Sequence, residues 1–164
     1  MTDAITPVTF RPATEDDVEQ LHDFVVSLAH DEDFPDDVVA TSEDLREALF
    51  GARPVADAVI AERGGRPIGF AVYYFAYSTV VGRPTLHLED LYVAPEHRSG
   101  GVGRSLLGHL ARLAIERGCG RFEWWVLRTN DRAIRLYKKM GARELDEIDV
   151  MRVDGDALTA LAQV

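Results

Sequence analysis

Arg98-Ser99-Gly100-Gly101-Val102-Gly103-Arg104 is the stretch on which the reading of this 164-residue chain turns. It joins a strand-like run, residues 85–93, to a strongly amphipathic helix-like run, 101–117, where Leu106, Leu107, Leu110, Leu113 and Ala114 recur at helical spacing. Glycines let backbone come close to a ligand and turn its N–H groups inward. The start of a helix adds about half a positive charge and free donors. Together these make an anion cradle suited to a pyrophosphate. Taken alone, the same letters read equally well as a plain turn before a helix. No Gly-Lys-Ser/Thr follows, so this is not the lysine-bearing phosphate loop.

Upstream, Leu88-Glu89-Asp90-Leu91-Tyr92-Val93 sets an acidic pair inside a strand pattern. Carboxylates are disfavoured in strand interiors. Strand alternation puts Glu89 and Asp90 on opposite faces, so at least one should point toward a cleft. There it could serve as a general base, tuned by partial burial; the alternative is a solvated edge pair. Downstream, Asn130-Asp131-Arg132-Ala133-Ile134-Arg135-Leu136-Tyr137 leads to Gly141. Asn130 can cap a helix and Gly141 can end it. Tyr137 falls about two turns after Asn130, on the same side. It could donate a proton to a leaving group, or simply pack in a core.

The remaining chain reads as a strand at 8–11, a helix capped by Thr14 with Asp17 as box partner, and a second helix at 42–50. A strand at 58–62, a Gly64-Gly65 turn and a strand at 67–77 form a hairpin. Further strands are predicted at 85–93, 121–127 and 146–153, and helices at 101–117 and 131–140. Hairpin strands followed by alternating strands and helices predict an α/β fold with a mixed, mostly antiparallel sheet flanked by helices. Without repeats or a long linker, residues 1–164 read as a single domain.

Composition narrows the partners. Hydrophobic residues make up 46% of the chain, enough for a core. No apolar run reaches membrane-spanning length, and the N-terminus lacks the basic start and apolar stretch of a signal peptide, so a cytoplasmic protein is expected. The formal charge of -10 argues against nucleic acid and suits a cationic substrate, or solubility alone. Cys119 is the only cysteine, flanked by Gly118 and Gly120, and reads as inert. The five histidines show no metal-ligand spacing, and no metal is expected.

In combination and in this order, the motifs resemble the GNAT acetyltransferase superfamily. Its Arg/Gln-x-x-Gly-x-Gly/Ala loop is matched by Arg98, Gly101 and Gly103, after Val93-Ala94-Pro95. Its Asn-x-x-Ala-x-x-x-Tyr-x-x-x-Gly segment is matched by Asn130, Ala133, Tyr137 and Gly141. Residues 69–78, 81–83, 88–93, 121–124 and 150–153, with 11–14 and 41–45, are similar to the spermidine/spermine-type diamine acetyltransferase branch, including thialysine acetyltransferases.

The resemblance implies an acetyl-CoA-dependent N-acetyltransferase that needs no metal. The CoA pyrophosphate would lie on Arg98, Ser99, Gly100, Gly101, Val102, Gly103 and Arg104. The pantetheine arm would pair along Leu91, Tyr92 and Val93, with Asn130 and Ala133 also toward the cofactor. Glu89 would be the base, acting through water, and Tyr137 the acid. Asp31, Glu32, His87, Glu89 and Asp90 would line the amine site. Asp31 stands where the branch often has Tyr, His87 where it has an aromatic, and Val80 where it has Trp. These departures leave open which amine is used: a diamine, a polyamine or a lysine-like compound. Other acceptors, namely a peptide N-terminus, a protein lysine or an aminoglycoside, remain alternatives, as does a non-catalytic acyl-CoA sensor. The branch also implies a homodimer, to which Phe122, Trp124 and Trp125 could contribute apolar surface.

Overall fold

Continuous apolar runs on either side of the Gly64-Gly65 turn, both glycines with positive φ, fold into a hairpin of β2 (Asp57–Arg63) and β3 (Arg66–Ser78). β1 (Val8–Pro12) and β4 (Arg83–Val93) pair antiparallel on either side of that hairpin. β5 (Arg121–Trp124) joins β4 in parallel, giving the order β1-β2-β3-β4-β5. This is the expected α/β fold with a mixed, mostly antiparallel sheet. The computed structural model describes residues 6–164. The chain divides into two compact units, Met1–Trp125 and Val126–Val164.

In the first unit, α1 (Val18–Asp31) and α2 (Ser42–Phe50) cover one face of the sheet. Leu21, Phe24 and Leu49 pack there on Ala58, Ile60, Phe70, Val72 and Tyr92. α3 (Val102–Glu116) covers the other face, where Val102 packs with Ala61, Ile68 and Val93, and with the half-buried Leu91. The Thr14/Asp17 box is present; Thr14 N–H donates to Asp17 Oδ2 at 2.8 Å. It starts a single 3-10 turn that leads into α1. Asp17 is also gripped by both terminal nitrogens of Arg11, at 2.7 and 2.8 Å, while Arg11 Nε reaches Glu62 at 2.8 Å. The Arg11 guanidinium holds the Asp17 carboxyl down at about 2 against burial, which acts the other way.

The second unit contains α4 (Asp131–Lys139) and α5 (Gly155–Leu161). Asn130 Oδ1 caps α4 by accepting from Ala133 N–H at 3.2 Å. Gly141, at φ 93°, lets the chain leave the helix as Ala142 N–H donates to Tyr137 O. The strand expected at 146–153 is not formed. Ile148 and Val150 alternate as a strand would, as do Met151 and Val153 on the opposite face, but residues 146–153 are unpaired and α5 follows, begun at Asp154. Alternation supplies a face for a sheet, not the partner strand that hydrogen bonding needs.

Candidate active site

The decisive local feature is a bulge in β4. Val72 stands opposite Asp90, and the next residue, Tyr73, stands opposite Leu88, so Glu89 is an extra residue with no partner on β3. The bulge corrects the expectation that Glu89 and Asp90 lie on opposite faces. Val72 belongs to the core under α1, so Asp90 lies on the α1 face, as does Tyr74 two residues along β3. His87, opposite Tyr74, shares that face, and its Nε2 is 4.0 Å from Glu89 Oε2. Both carboxylates therefore belong to the α1 side of the strand.

The same bulge marks where β4 and β5 part. Pairing with β5 runs from Thr85 to Leu88 and stops opposite Trp124, which is why β5 ends short of the expected residue 127. Beyond it, Leu91 and Val93 have no β5 partner. Ala94 N–H donates to Ile68 O on β3, whereas Val93 O accepts from Arg98 Nε at 2.7 Å. Peptide groups of successive strand residues point to opposite edges. Hence the backbone of Leu91 and Val93 faces away from β3, toward the open side. On the β3 side the approach is tight: a Cβ on Gly69 would sit 2.5 Å from Tyr92 O, so glycine is required there.

At the end of β4 the glycine loop carries two left-handed residues, Ser99 at φ 69° and Gly101 at φ 76°. For serine this conformation costs on the order of 1–3 kcal/mol. Left-handed residues set between others of ordinary φ turn successive backbone N–H groups into a concavity that suits an anion. Ser105 N–H makes the first backbone bond across the helix start, to Gly101 O at 2.9 Å. The N–H groups of Val102, Gly103 and Arg104 precede it and are the free donors of the first turn. Gly103 sits over the open part of β4, with its Cβ position 3.8 Å from Leu91 and Val93 side chains. A pyrophosphate fits this loop on geometry alone.

Arg98 ties that loop down. Its guanidinium lies 5.3 Å above the Tyr92 ring and forms an ion pair with Asp31 at the end of α1. Asp31, expected among the amine ligands, is thus engaged by the glycine loop. Tyr92, expected along the pantetheine, is a core residue in contact with Phe24 at 5.4 Å between ring centres.

Beside this clamp lies a carboxylate group. Burial, then the charge of Glu89, then that of Glu32, push Asp90 up to about 6. Burial and then Asp31 raise Glu32 as well. His87 is buried, with its ring 4.8 Å from Tyr74 and edge-on to Trp125 at 5.2 Å. Tyr74 and Trp125 were not among the sequence candidates. The signal for Tyr74 was its place opposite His87, which needs the register across the bulge. Asn130, Ala133 and Tyr137 stand on α4 of the second unit. The Asn130 oxygen is used as the cap, leaving its amide nitrogen for any further contact. Among the described residues no group of three or more His, Cys, Asp or Glu could hold a metal ion.

Residues 20–142 match the acetyltransferase (GNAT) family model. The chain is 36% identical to thialysine N-epsilon-acetyltransferase from Sus scrofa, over 94% of this chain and 97% of that protein. It is 38% identical to the enzyme of the same name from Caenorhabditis elegans, over 91% and 93%. Among solved structures, an integron cassette protein from the mobile metagenome of V. cholerae superposes with a TM-score of 0.79 at 26% identity, covering 96% of this chain and 98% of that one. The chain belongs to the GNAT family of acetyltransferases and is an N-acetyltransferase.

Proposed function

We propose that the protein moves the acetyl group of acetyl-CoA to a primary amine of a small polycationic or amino-acid-like substrate: a diamine, a polyamine or a thialysine-like compound. The observation that carries this reading is the opening of β4 at the Glu89 bulge. It leaves the Leu91 backbone and the Val93 N–H without a strand partner beside an anion-binding loop, with carboxylates at the other end. The pantetheine arm adds to β4 as an extra strand, and the pyrophosphate takes the N–H groups of residues 98–104.

An alkyl ammonium, with a pKa near about 10.4, must lose a proton before it can attack. Glu89, half-exposed, receives that proton through water. The amine nitrogen then bonds to the thioester carbonyl carbon, a strand N–H near Leu91 holds the oxyanion, and the C–S bond breaks. Tyr137 protonates the departing thiolate, and Asn130 and Ala133 contribute to the cofactor site. A second reading makes Asp90 the base, and its raised pKa of about 6 favours it. Glu32, Asp90 and His87 select the amine. The names of the matched relatives support a lysine-like or polyamine-type acceptor. In this reading residues 1–164 act as one catalytic domain, in the cytoplasm, as a homodimer that light scattering would detect.

The test is CoA release from acetyl-CoA over a panel of amines graded by length and charge, with peptides and aminoglycosides included. Turnover highest with dicationic or lysine-like amines supports the proposal. Turnover confined to peptides or aminoglycosides would assign a different acceptor, and acetyl-CoA binding without turnover on any amine would make the protein a sensor.

A further inference from the structure

On α3, Ser105, Gly108 and Arg112 follow at spacings of three and four, so they share one side of the helix. Gly103, two residues before Ser105, faces elsewhere, toward Leu91 and Val93 of β4. The Ser105 side meets the edge strand β1 and the end of β2 across a groove of about 470 Å³. Its polar side chains are Thr6, Arg63, Ser105 and Arg112, with Gly100 and Gly108 between them and Phe10 on the strand side.

The charge in this groove is unbalanced. The chain has 28 acids against 18 bases, yet among the described residues none of the acids lines the groove. Arg11, Arg46, Arg98, Arg121 and Arg143 each have a carboxylate partner. Neither Arg63 nor Arg112 has one within 4.0 Å among the described residues. The hydrogen bond of Arg63 runs from Nη1 to the His97 ring at 3.4 Å, and its buried Nε has no hydrogen-bond partner among the described residues. A guanidinium held at the inner end of a groove with so little compensation is poised for an anion. The ring of His109, which contacts Phe10 at 5.2 Å, senses the same field. Burial first, and then Arg112, lower its pKa, with Glu116 opposing.

We propose that this groove is a second anion site, which takes the phosphate of a small phosphate-bearing molecule between Arg63 and Arg112. The two guanidinium groups supply forked N–H donors of the kind that match phosphate oxygens. The Ser105 hydroxyl is a further donor, and Gly100 and Gly108 keep the walls low. The site lies on the β1 side of α3, shares only Gly100 with the loop proposed for the CoA pyrophosphate, and does not depend on the acetyl-transfer reading.

The test uses inorganic phosphate and the full-length protein, followed by amide NMR with sodium chloride matching ionic strength. Saturable shifts at Ser105, Gly108 and His109 are expected with phosphate and not with chloride. Arg63→Gln with Arg112→Gln should weaken phosphate at least about tenfold, the loss of two charge-assisted contacts. The exposed Arg112→Gln alone, in a variant whose spectrum remains native, should weaken it several-fold, and Arg63→Lys should fall between. The same shifts should persist with saturating CoA, which distinguishes a separate phosphate compound from CoA's own phosphates. Equal shifts with chloride, unchanged affinity in the double variant, or loss of phosphate binding under saturating CoA would each overturn the site.

Discussion

Arg98 of the glycine loop and Asp31 at the end of α1, 67 residues apart in sequence, form an ion pair whose guanidinium also covers Tyr92 and donates to Val93 O. One side chain thereby fastens the glycine loop to β4 and to the acidic turn after α1.

The pair predicts an effect of unusual sign. CoA is an anion, so removing a nearby acid should tighten its binding if only charge mattered. If Asp31 acts by holding Arg98, Asp31→Ala should weaken acetyl-CoA several-fold by calorimetry, and Asp31→Glu should restore most of it. It should also lower kcat/KM for mono- and diamines alike. Tighter acetyl-CoA binding, or a loss restricted to diamines, would return Asp31 to the role of amine ligand.

The two adjacent carboxylates should separate in a pH profile. As general base, Glu89 is worth about 10²–10⁴ in rate, lost in Glu89→Gln. If Asp90 is the base, kcat/KM rises with pH through about 6, and Asp90→Asn removes that limb. Because Glu89 is one of the charges that raise Asp90, Glu89→Gln should also move the Asp90 titration downward. A Glu89→Gln enzyme within about threefold of wild type across the pH range excludes Glu89 as the base.

Glu32, whose proton affinity is raised by burial and by Asp31, should read the far end of the substrate. Glu32→Gln is expected to raise KM for putrescine and a thialysine-like amino acid several-fold, consistent with a contact of about 1 kcal/mol. KM for butylamine should hardly change. Equal losses on all three substrates would leave no role for Glu32 in charge recognition.

The sheet edge should depend on Asp17. Its folded pKa of about 2 lies below its ordinary 3.8, so its contribution to stability is complete above about 4 and is lost as pH falls toward 2. Asp17→Asn leaves Arg11 and the Thr14 turn short of an acceptor, at a cost of about 1–3 kcal/mol at neutral pH. Denaturant unfolding between pH 2 and 7 should show that deficit shrinking toward pH 2. A deficit that stays constant with pH would mean that the Arg11 pair does not depress the Asp17 carboxyl.

Local chemistry made much of this architecture legible. The hairpin around Gly64-Gly65, α2 at 42–50 and the turn before α3 follow from periodicity and capping alone. What escaped were features created by two distant segments at once. The extra residue at Glu89 exists only relative to β3, and a two-residue period applied to β4 puts its carboxylate on the wrong face. The ion pair of Asp31 with Arg98 was not legible because the partner lies beyond any local window. Residues 146–153 carried a strand-like alternation with no strand to pair with, and the short helix α5 after them was not anticipated.

The bulge also works as a phase change along β4. Before it, even-numbered Leu88 stands opposite Tyr73, on the α3 side; after it, odd-numbered Leu91 and Val93 take that side. With Glu89 present, a strand of one uninterrupted period could not supply both halves. Deleting that single residue would join Leu88 to Asp90 and restore one period, with the other residues of β4 keeping their faces and their partners on β3. Deleting a residue elsewhere in the strand would instead turn one half over. The bulge is therefore the one place where β4 can lose a residue without exchanging faces, and that tolerance is a property of counting rather than of side-chain identity.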